Sequence, residues 1–291
     1  MSSHLAARLD YMIMAPQMKK TQSFKHRYGP WALVTGAASG IGAEFGIQLA
    51  ARGFNLVLVD IQADVLHDHA RGLKRRCGIE IRPVVADLSR PDFIDKIRKS
   101  TRGLSIGLLV NNAGYGTAGE FMNTDLTEMI DTLAVNCRAP LVLTHEFGRS
   151  MIKRRRGGII FISSTSALQG TAIVANYAAT KAYNLILGEA LWDELRCYNV
   201  DVLAFCPGAT NTPAFEKSGA RIDAVPGMPF MEPEPVVAEA LAALGRVPRA
   251  IAGRENRVIA FIMTRLLTRR RLITLYGKNT RLLFPVMKRL V

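Results

Sequence analysis

A glycine-rich segment near the start of the chain has residue types suited to binding a phosphate group. Residues 35–42 read Thr-Gly-Ala-Ala-Ser-Gly-Ile-Gly, after a short β run and before a helical stretch. Glycines allow a tight turn and let the backbone approach a pyrophosphate, whose charge lies at the helix N-terminus. A turn that merely connects a strand to a helix is the alternative. The position between a strand and a helix favours dinucleotide binding.

Asp60 is the second candidate binding residue. It ends the predicted strand Asn55–Asp60, which follows the helix that begins at the glycine-rich segment. A carboxylate at this position can accept hydrogen bonds from an adenosine ribose and repel a 2′-phosphate. Capping of the helix that follows is the alternative, and the two roles are compatible.

The elements that would position these residues alternate between strands and helices. Short apolar runs predict strands at 31–35, 55–60, 79–85, 106–111, 157–163 and 200–206, with helices between them. This alternation predicts a doubly wound parallel sheet, a Rossmann fold, with helices on both faces. We assign residues 31–254 to this domain, 1–30 and 255–291 to extensions, and the proline-rich stretch 209–235 to a substrate lid.

The motifs together resemble the short-chain dehydrogenase/reductase family from about Trp31 to Gly253. They follow the family's order: TGAASGIG at 35–42, Asp60, Ala86-Asp87-Leu88, Asn111-Asn112-Ala113-Gly114, Asn136, Ser164, Tyr177-x-x-x-Lys181, and Pro207-Gly208 with Thr212. Each motif alone is weak, whereas the ordered set is highly specific. The resemblance implies an oxidoreductase that transfers a hydride between a nicotinamide cofactor and a secondary alcohol or ketone.

The resemblance implies that catalysis rests on Asn136, Ser164, Tyr177 and Lys181. Tyr177 would transfer the proton, Ser164 would bind the substrate oxygen, and Asn136 would steady a water in a proton relay. Ser163 falls one residue short of the family's spacing. Tyr177 and Lys181 share a helix face because they are four residues apart. A nearby ammonium lowers the pKa of a tyrosine from about 10, so we expect Lys181 to favour the phenolate and also to hold the nicotinamide ribose.

The resemblance also implies which residues bind the cofactor: Gly36, Ser39, Gly40, Ile41, Gly42, Asp60, Asp87, Leu88, Asn111, Ala113, Gly114, Tyr177, Lys181, Pro207, Gly208, Thr210 and Thr212. Asp87 and Leu88 would flank the adenine. A 2′-phosphate would meet the Asp60 carboxylate with no matching cation, since Ile61 and Ser39 are uncharged. We therefore predict NAD as the cofactor, with NADP as the alternative.

Length and composition favour an ordinary globular protein. The 291 residues are 49% hydrophobic and 21% charged, which excludes extensive disorder and fibrous classes. No apolar run approaches the ~18 residues that cross a bilayer. The cysteines and histidines show no metal-ligand spacing. We expect a cytoplasmic homodimer or homotetramer without a metal.

The predicted lid indicates the chemical class of the substrate. The lid offers several apolar side chains: Phe215, Ile222, Val225, Met228, Phe230 and Met231. They favour an apolar small-molecule substrate, such as a steroid, a retinoid or a long-chain hydroxyacyl compound. An NADPH-dependent carbonyl reductase and a non-catalytic NAD-binding scaffold are the alternative functions.

The formal net charge of +14 is concentrated at the chain ends. In the tail, apolar and basic residues alternate at helical spacing: Ile259, Ile262, Met263, Leu266 and Ile273 with Arg265, Arg269, Arg270 and Arg271. This pattern predicts a basic amphipathic helix in peripheral contact with a membrane. Packing of the apolar stripe on the domain or on a second subunit is the alternative. We expect no nucleic-acid binding, because the tail matches no recognised module.

Overall fold

The computed structural model describes residues 24–285 of the chain. Its strands are β1 (Trp31–Thr35), β2 (Asn55–Asp60), β3 (Ile81–Val85), β4 (Ile106–Asn111), β5 (Gly157–Ile162), β6 (Val200–Cys206), β7 (Ala209–Thr210), β8 (Phe230–Met231) and β9 (Arg249–Ile251). Seven of them form a parallel sheet in the order β3-β2-β1-β4-β5-β6-β9, and β7 pairs with β8. The predicted Rossmann fold is confirmed.

Helices connect the strands. The α-helices span Phe24–Tyr28, Gly40–Ala51, Ala63–Cys77, Phe93–Thr101, Leu126–Leu133, Ala139–Lys153, Ala175–Arg196, Pro213–Lys217, Pro233–Ala243, Arg254–Leu266 and Arg269–Leu283. A π-helical segment, Ala134–Arg138, joins two of them. The helical region between β4 and β5 is therefore interrupted by a wider turn.

The central strands are apolar at almost every position because helices cover both faces of the sheet. Along β1, Ala32 and Val34 belong to one buried cluster, and Trp31 and Leu33 belong to the cluster on the opposite face. Adjacent side chains of a strand point to opposite faces, so a strand buried on both sides needs a continuous apolar run.

The order of the strands places the site. β1 lies between β2 and β4. From β1 the chain continues to β2 and β3 on one side, and then returns to β4, β5 and β6 on the other side, so the strand order reverses at β1. Such a reversal leaves a crevice at the carboxyl ends of the strands, where open α/β sheets bind ligands. The glycine-rich segment follows β1, and Asn112 follows β4 at the same edge.

Part of the predicted N-terminal extension packs against the core. Tyr28 is only 3% exposed, and its hydroxyl donates to Asp201 at 2.7 Å. The Arg27 guanidinium donates to the same carboxylate oxygen at 2.6 Å, and the Phe24 ring contacts those of Tyr28 and Phe54. Residues 24–30 therefore belong with the core, whereas 1–23 lie outside the described residues.

The tail forms two helices, with a break at Leu267 and Thr268, where we predicted a single one. The Thr268 hydroxyl accepts the amide of Arg271 at 3.4 Å and begins the second helix. Of the predicted apolar stripe, Ile259 and Met263 are half-buried, whereas Ile262 and Leu266 are exposed. Within residues 24–285, no helix has the length and apolar character to cross a membrane.

Candidate active site

The glycine-rich turn after β1 leaves little room for side chains. Gly36 and Gly40 have φ angles of 66° and 56°, in the left-handed region that favours glycine. A Cβ atom on Gly42 would overlap the carbonyl oxygen of Gly36. Ser39 precedes the helix Gly40–Ala51, and its side chain makes no capping hydrogen bond. The first amides of this helix are therefore not used by a side-chain cap and can bind an anion.

Asp60 holds this turn in place from the end of β2. One carboxylate oxygen accepts the amide of Ala38 at 2.9 Å, and the other accepts the amide of Gln62 at 3.0 Å. The side chain is buried, with 8% of the residue exposed. Asp60 thus bonds the residue that precedes the helix Ala63–Cys77 and does not cap that helix, because no side-chain cap bonds its first amides. Its carboxylate lies beside the glycine-rich turn.

Asn112, which the sequence analysis did not single out for a role, bonds the same turn. Its side-chain nitrogen donates to the carbonyl oxygens of Thr35, at 2.8 Å, and Gly36, at 3.3 Å. The neighbouring Asn111 is 3% exposed and donates instead to the hydroxyl of Thr144 at 3.0 Å. The Asn111 side chain is therefore engaged away from the glycine-rich turn, so that a contact of Asn111 with the predicted cofactor would have to come from its main chain.

Asp87 and Leu88 follow β3. Leu88 is 7% exposed and packs in the hydrophobic core, so its side chain does not flank a ligand. Asp87 accepts the amide and the hydroxyl of Ser89, at 2.9 and 2.8 Å. Only Asp87 is left as a side chain that could reach an adenine.

The helix Ala175–Arg196 brings Tyr177 and Lys181 together. The Lys181 Nζ lies 5.6 Å from the centroid of the Tyr177 ring. It donates to the carbonyl oxygen of Ile162, the last residue of β5, at 2.9 Å. A Cβ atom on Gly114 would lie 2.9 Å from this ammonium. Three residues that the sequence assigned to one site are therefore neighbours in space.

The two titratable groups of this pair are shifted by burial. Loss of water around the ammonium lowers the pKa of Lys181 to about 8. Burial raises the pKa of Tyr177 above its usual value, and a hydrogen bond with Ser164 opposes that rise. Lys181 is not among the causes of this shift, so the lowering of the Tyr177 pKa by Lys181 stays a prediction. The ammonium donates to Ile162 rather than to the phenol oxygen.

Ser164 and Ser163 have different surroundings. Ser164 precedes the 3₁₀ turn Thr165–Leu168 and, besides contacting Tyr177, accepts the hydroxyl of Ser166 at 2.8 Å. Ser163 is buried and donates to the main-chain carbonyl of Lys181 at 2.7 Å. Ser164 therefore faces the tyrosine, and Ser163 braces the helix that carries it.

Asn136 lies fully buried in the π-helical segment. Its side-chain nitrogen donates to the carbonyl oxygen of Tyr115 at 2.8 Å and to the hydroxyl of Thr180 at 2.9 Å. Its side-chain oxygen accepts the amide of Tyr115 at 3.1 Å. The side chain thus fixes the loop after β4 to the helix that carries Tyr177.

The main-chain carbonyl of Asn136 accepts a hydrogen bond from the side chain of Asn184 at 2.8 Å. Pro140 has no N–H to donate to the carbonyl four residues before it, so a regular α-helix cannot satisfy this oxygen. Short π segments often occur at functional sites. Asn184 was not predicted from the sequence, although Pro140 signals that the Asn136 carbonyl needs a partner other than a helix amide.

The segment after β6 crosses over the glycine-rich turn. The Thr212 methyl group lies against Gly40, where an added Cβ would be 2.9 Å away. The Thr212 hydroxyl accepts the amide of Phe215 at 3.1 Å and caps the helix Pro213–Lys217. The Thr210 hydroxyl donates to the carbonyl of Gly208 at 3.1 Å, and the carbonyl of Pro207 accepts the amide of Thr165. These contacts join the predicted lid to the glycine-rich turn, and they join Pro207, which precedes the lid, to the residue after Ser164.

The lid presents partly exposed apolar side chains. The rings of Phe215 and Phe230 are 5.2 Å apart, and Ile222, Met228 and Met231 are half-buried. Within residues 24–285, no cluster of histidine, cysteine or acidic side chains could hold a metal ion. The four cysteines are free.

The residues present fit a nicotinamide dinucleotide. The turn at Gly36, Gly40 and Gly42 is a tightly packed cradle, in which an added Cβ would collide with neighbouring protein atoms, at the start of a helix without a side-chain cap. At the other end of the crevice, Lys181 and Gly114 lie together below Tyr177. A candidate anion site and a candidate proton-transferring group thus both follow the carboxyl ends of strands of one parallel sheet.

Comparison with known proteins agrees with this geometry. The model of the short chain dehydrogenase family matches residues 30–223. A 7beta-hydroxysteroid dehydrogenase of Clostridium sardiniense is 31% identical over 235 residues, covering 81% of this chain and 90% of the relative. A very-long-chain 3-oxoacyl-CoA reductase of Laccaria bicolor is 33% identical, covering 62% of this chain and 55% of the relative, so this chain spans about half the length of that protein.

Solved structures show the same fold. A 7beta-hydroxysteroid dehydrogenase structure superposes with a TM-score of 0.81 at 27% identity and covers 88% of this chain and 99% of its own. A short-chain dehydrogenase from Sphingobium yanoikuyae in complex with NADPH gives 0.71 at 27% identity, with 90% and 98% covered. The fold and the family define an NAD(P)-dependent oxidoreductase that interconverts alcohols and ketones. The chain belongs to the short chain dehydrogenase family.

Proposed function

We propose that Tyr177 is the acid–base residue of this enzyme and that Ser164 binds the substrate oxygen. The observation that carries the proposal is the buried Lys181 ammonium 5.6 Å from the Tyr177 ring on one helix face. Ser164 lies near enough to this tyrosine to oppose the rise of its pKa. In ketone reduction, the Tyr177 hydroxyl gives its proton to the substrate oxygen as negative charge develops there. Ser164 donates to the same oxygen and orients the carbonyl.

The nicotinamide supplies or accepts the hydride when it is bound. Lys181 holds its ribose, and the ammonium, with a pKa of about 8, exchanges protons near neutral pH. Asn136 keeps the loop after β4 against the helix of Tyr177, so the distance between the groups that bind coenzyme and substrate is maintained. Its main-chain carbonyl is the candidate holder of a relay water.

We propose NAD as the preferred coenzyme. The Asp60 carboxylate lies beside the turn that would hold the adenosine ribose, and Ile61 next to it is 61% exposed and uncharged. A 2′-phosphate would therefore approach a carboxylate without a compensating cation. Some solved relatives bind NADPH, so both coenzymes must be titrated against the same preparation.

The proposed substrate is a lipid-like ketone or secondary alcohol, of steroid or long-chain acyl type. The partly exposed apolar side chains of the lid support an apolar ligand, and the relatives named above carry these two substrate classes in their names. We further propose a cytoplasmic homodimer or homotetramer. Leu126 and Ile186, 66% and 63% exposed, are apolar side chains that a second subunit would cover.

The test is a turnover screen of steroid ketones and 3-oxoacyl thioesters with NADH and NADPH, after mass spectrometry of small molecules that the purified protein retains. We expect oxidation of NADH with at least one apolar ketone. Coenzyme binding without turnover of any ketone or alcohol would contradict the catalytic proposal and favour a binding scaffold.

A further inference from the structure

Two C-terminal helices adjoin the candidate substrate site. The C-terminal helix pair, Arg254–Leu266 and Arg269–Leu283, lies beyond the residues that the family model matches. Arg269 donates to the main-chain carbonyl of Leu168 at 2.8 Å. The Ile273 side chain lies against Gly170, so the second helix contacts the loop between Ser164 and Tyr177.

The same helix pair also contacts the lid. The carbonyl oxygen of Leu283 accepts the amide of Arg221 at 2.7 Å. In the first helix, the Asn256 side chain lies 3.7 Å from the sulfur of Met231. The pair therefore connects the catalytic loop to the lid and forms part of the wall around the site.

The first helix of the pair has an apolar face that the described residues leave exposed. Val258, Phe261, Ile262 and Leu266 are 44%, 37%, 44% and 73% exposed. Their spacing of three, one and four residues places them on one side of an α-helix. Asn256 and Ala260 lie on the opposite side and are buried. The helix is thus anchored by Asn256 and Ala260, and these four large apolar residues face outward.

The helix pair that carries this apolar face also carries exposed positive charge. Arg254, Arg265, Arg270, Arg271 and Lys278 are exposed and form no salt bridge within residues 24–285. Glu255 is the single acidic residue of the pair. Because an apolar stripe flanked by unpaired arginines matches the hydrocarbon and phosphate layers of an anionic membrane, charge complementarity favours a lipid surface.

We propose that the C-terminal helix pair docks this protein on an anionic lipid bilayer. The apolar face of the first helix enters the headgroup region, and Arg254, Arg265, Arg270, Arg271 and Lys278 contact lipid phosphates. Because the pair also borders the lid and the catalytic loop, docking brings these two segments near the membrane. Delivery of an apolar substrate from the bilayer rests on the proposed function, whereas docking itself does not.

Co-sedimentation of the full chain with vesicles tests the docking. We expect binding to vesicles of phosphatidylcholine mixed with phosphatidylglycerol, and little binding to phosphatidylcholine alone. Val258→Ser with Ile262→Ser, and separately Arg270→Glu with Arg271→Glu, should each lower the partition coefficient by about tenfold or more, because burial of apolar groups and attraction by each basic residue both contribute.

Matched controls separate position from composition. Val65→Ser with Ile47→Ser removes an equally exposed apolar pair, at 46% and 39%, from other helices. Arg75→Glu with Arg76→Glu reverses an adjacent exposed arginine pair in the helix Ala63–Cys77. Both controls should bind vesicles like the unchanged protein. Undiminished vesicle binding by both C-terminal variants would overturn the proposal.

A second outcome would also overturn it. In this outcome the unchanged protein does not bind anionic vesicles, and the double variant Val258→Ser with Ile262→Ser dissociates an oligomer in analytical ultracentrifugation. The apolar face would then be an interface between copies of this chain. None of these measurements requires turnover, so failure of the docking proposal and failure of the proposed enzymatic function remain distinguishable.

Discussion

The main-chain amide of Ala38 donates to a carboxylate oxygen of Asp60 at 2.9 Å, although the two residues belong to different β–α connections. This bond joins the glycine-rich turn after β1 to the end of β2. The second carboxylate oxygen accepts the amide of Gln62, so both oxygens have a backbone donor. One side chain therefore shapes the turn that would hold the coenzyme phosphates and also sets the charge beside it.

Asp60→Ala should weaken NAD binding and improve NADP binding, because ribose hydrogen bonds are lost and repulsion of a 2′-phosphate is relieved. The substitution also leaves two amides without an acceptor and should lower the free energy of unfolding by about 1–3 kcal/mol. Fluorescence titration with both coenzymes measures the preference. Asp87→Ala, which likewise removes an acceptor from a backbone amide, is the control, and an equal change in the NAD/NADP ratio for both variants would rule out the selective role of Asp60.

Tyr177→Phe should leave coenzyme binding nearly unchanged and lower kcat by about 10²–10⁴-fold, since only the proton-transferring hydroxyl is lost. Steady-state kinetics and coenzyme titration measure the two effects separately. Tyr183→Phe removes a hydroxyl from the same helix, at a residue that is 38% exposed, and should retain full activity. Retention of more than about a tenth of kcat by Tyr177→Phe would contradict the assignment.

The pKa of Lys181 predicts how stability depends on pH. Its folded pKa of about 8 lies below the ordinary value of 10.5, so the unfolded chain binds this proton more tightly. Between these two values, the free energy of unfolding should rise with pH relative to that of Lys181→Met. Urea unfolding across this window gives the difference. Lys74→Met, at an exposed position of another helix, corrects for removal of an ammonium, and equal slopes for the unchanged protein and Lys181→Met would exclude the shifted pKa.

Two glycine-to-alanine substitutions should have different consequences, one for coenzyme binding and one for the free energy of unfolding. Gly42→Ala places a methyl group into the carbonyl oxygen of Gly36 and should abolish coenzyme binding through distortion of the turn. Gly72→Ala lies in the helix Ala63–Cys77 with open space around its Cβ, and should raise the free energy of unfolding by about 0.5–1 kcal/mol. Isothermal titration with NAD and thermal unfolding give both results, and normal NAD affinity in Gly42→Ala would argue against the cradle.

Features that depend on neighbouring residues were predictable from the sequence. The glycine-rich turn and the Tyr177–Lys181 pair each lie within a few residues, so helix and turn geometry decide their local arrangement. β6 begins and ends where its apolar run does, at Val200 and Cys206. The continuous apolar runs also predicted a sheet covered on both faces, because a strand exposed on one side would alternate.

Other features depend on contacts between distant segments, and only the tertiary structure decided them. Tyr28 is buried because Asp201, far along the chain, accepts its hydroxyl. The Asn111 side chain bonds Thr144, whereas the Asn112 side chain bonds the glycine-rich turn. The sequence did not distinguish these two partners, because both lie far away along the chain. The raised pKa of Tyr177 follows from its burial. The Lys181 ammonium donates to the carbonyl oxygen of Ile162 at the end of β5. Residue types define which interactions are available, whereas packing determines which partner each polar group meets and how much water it loses.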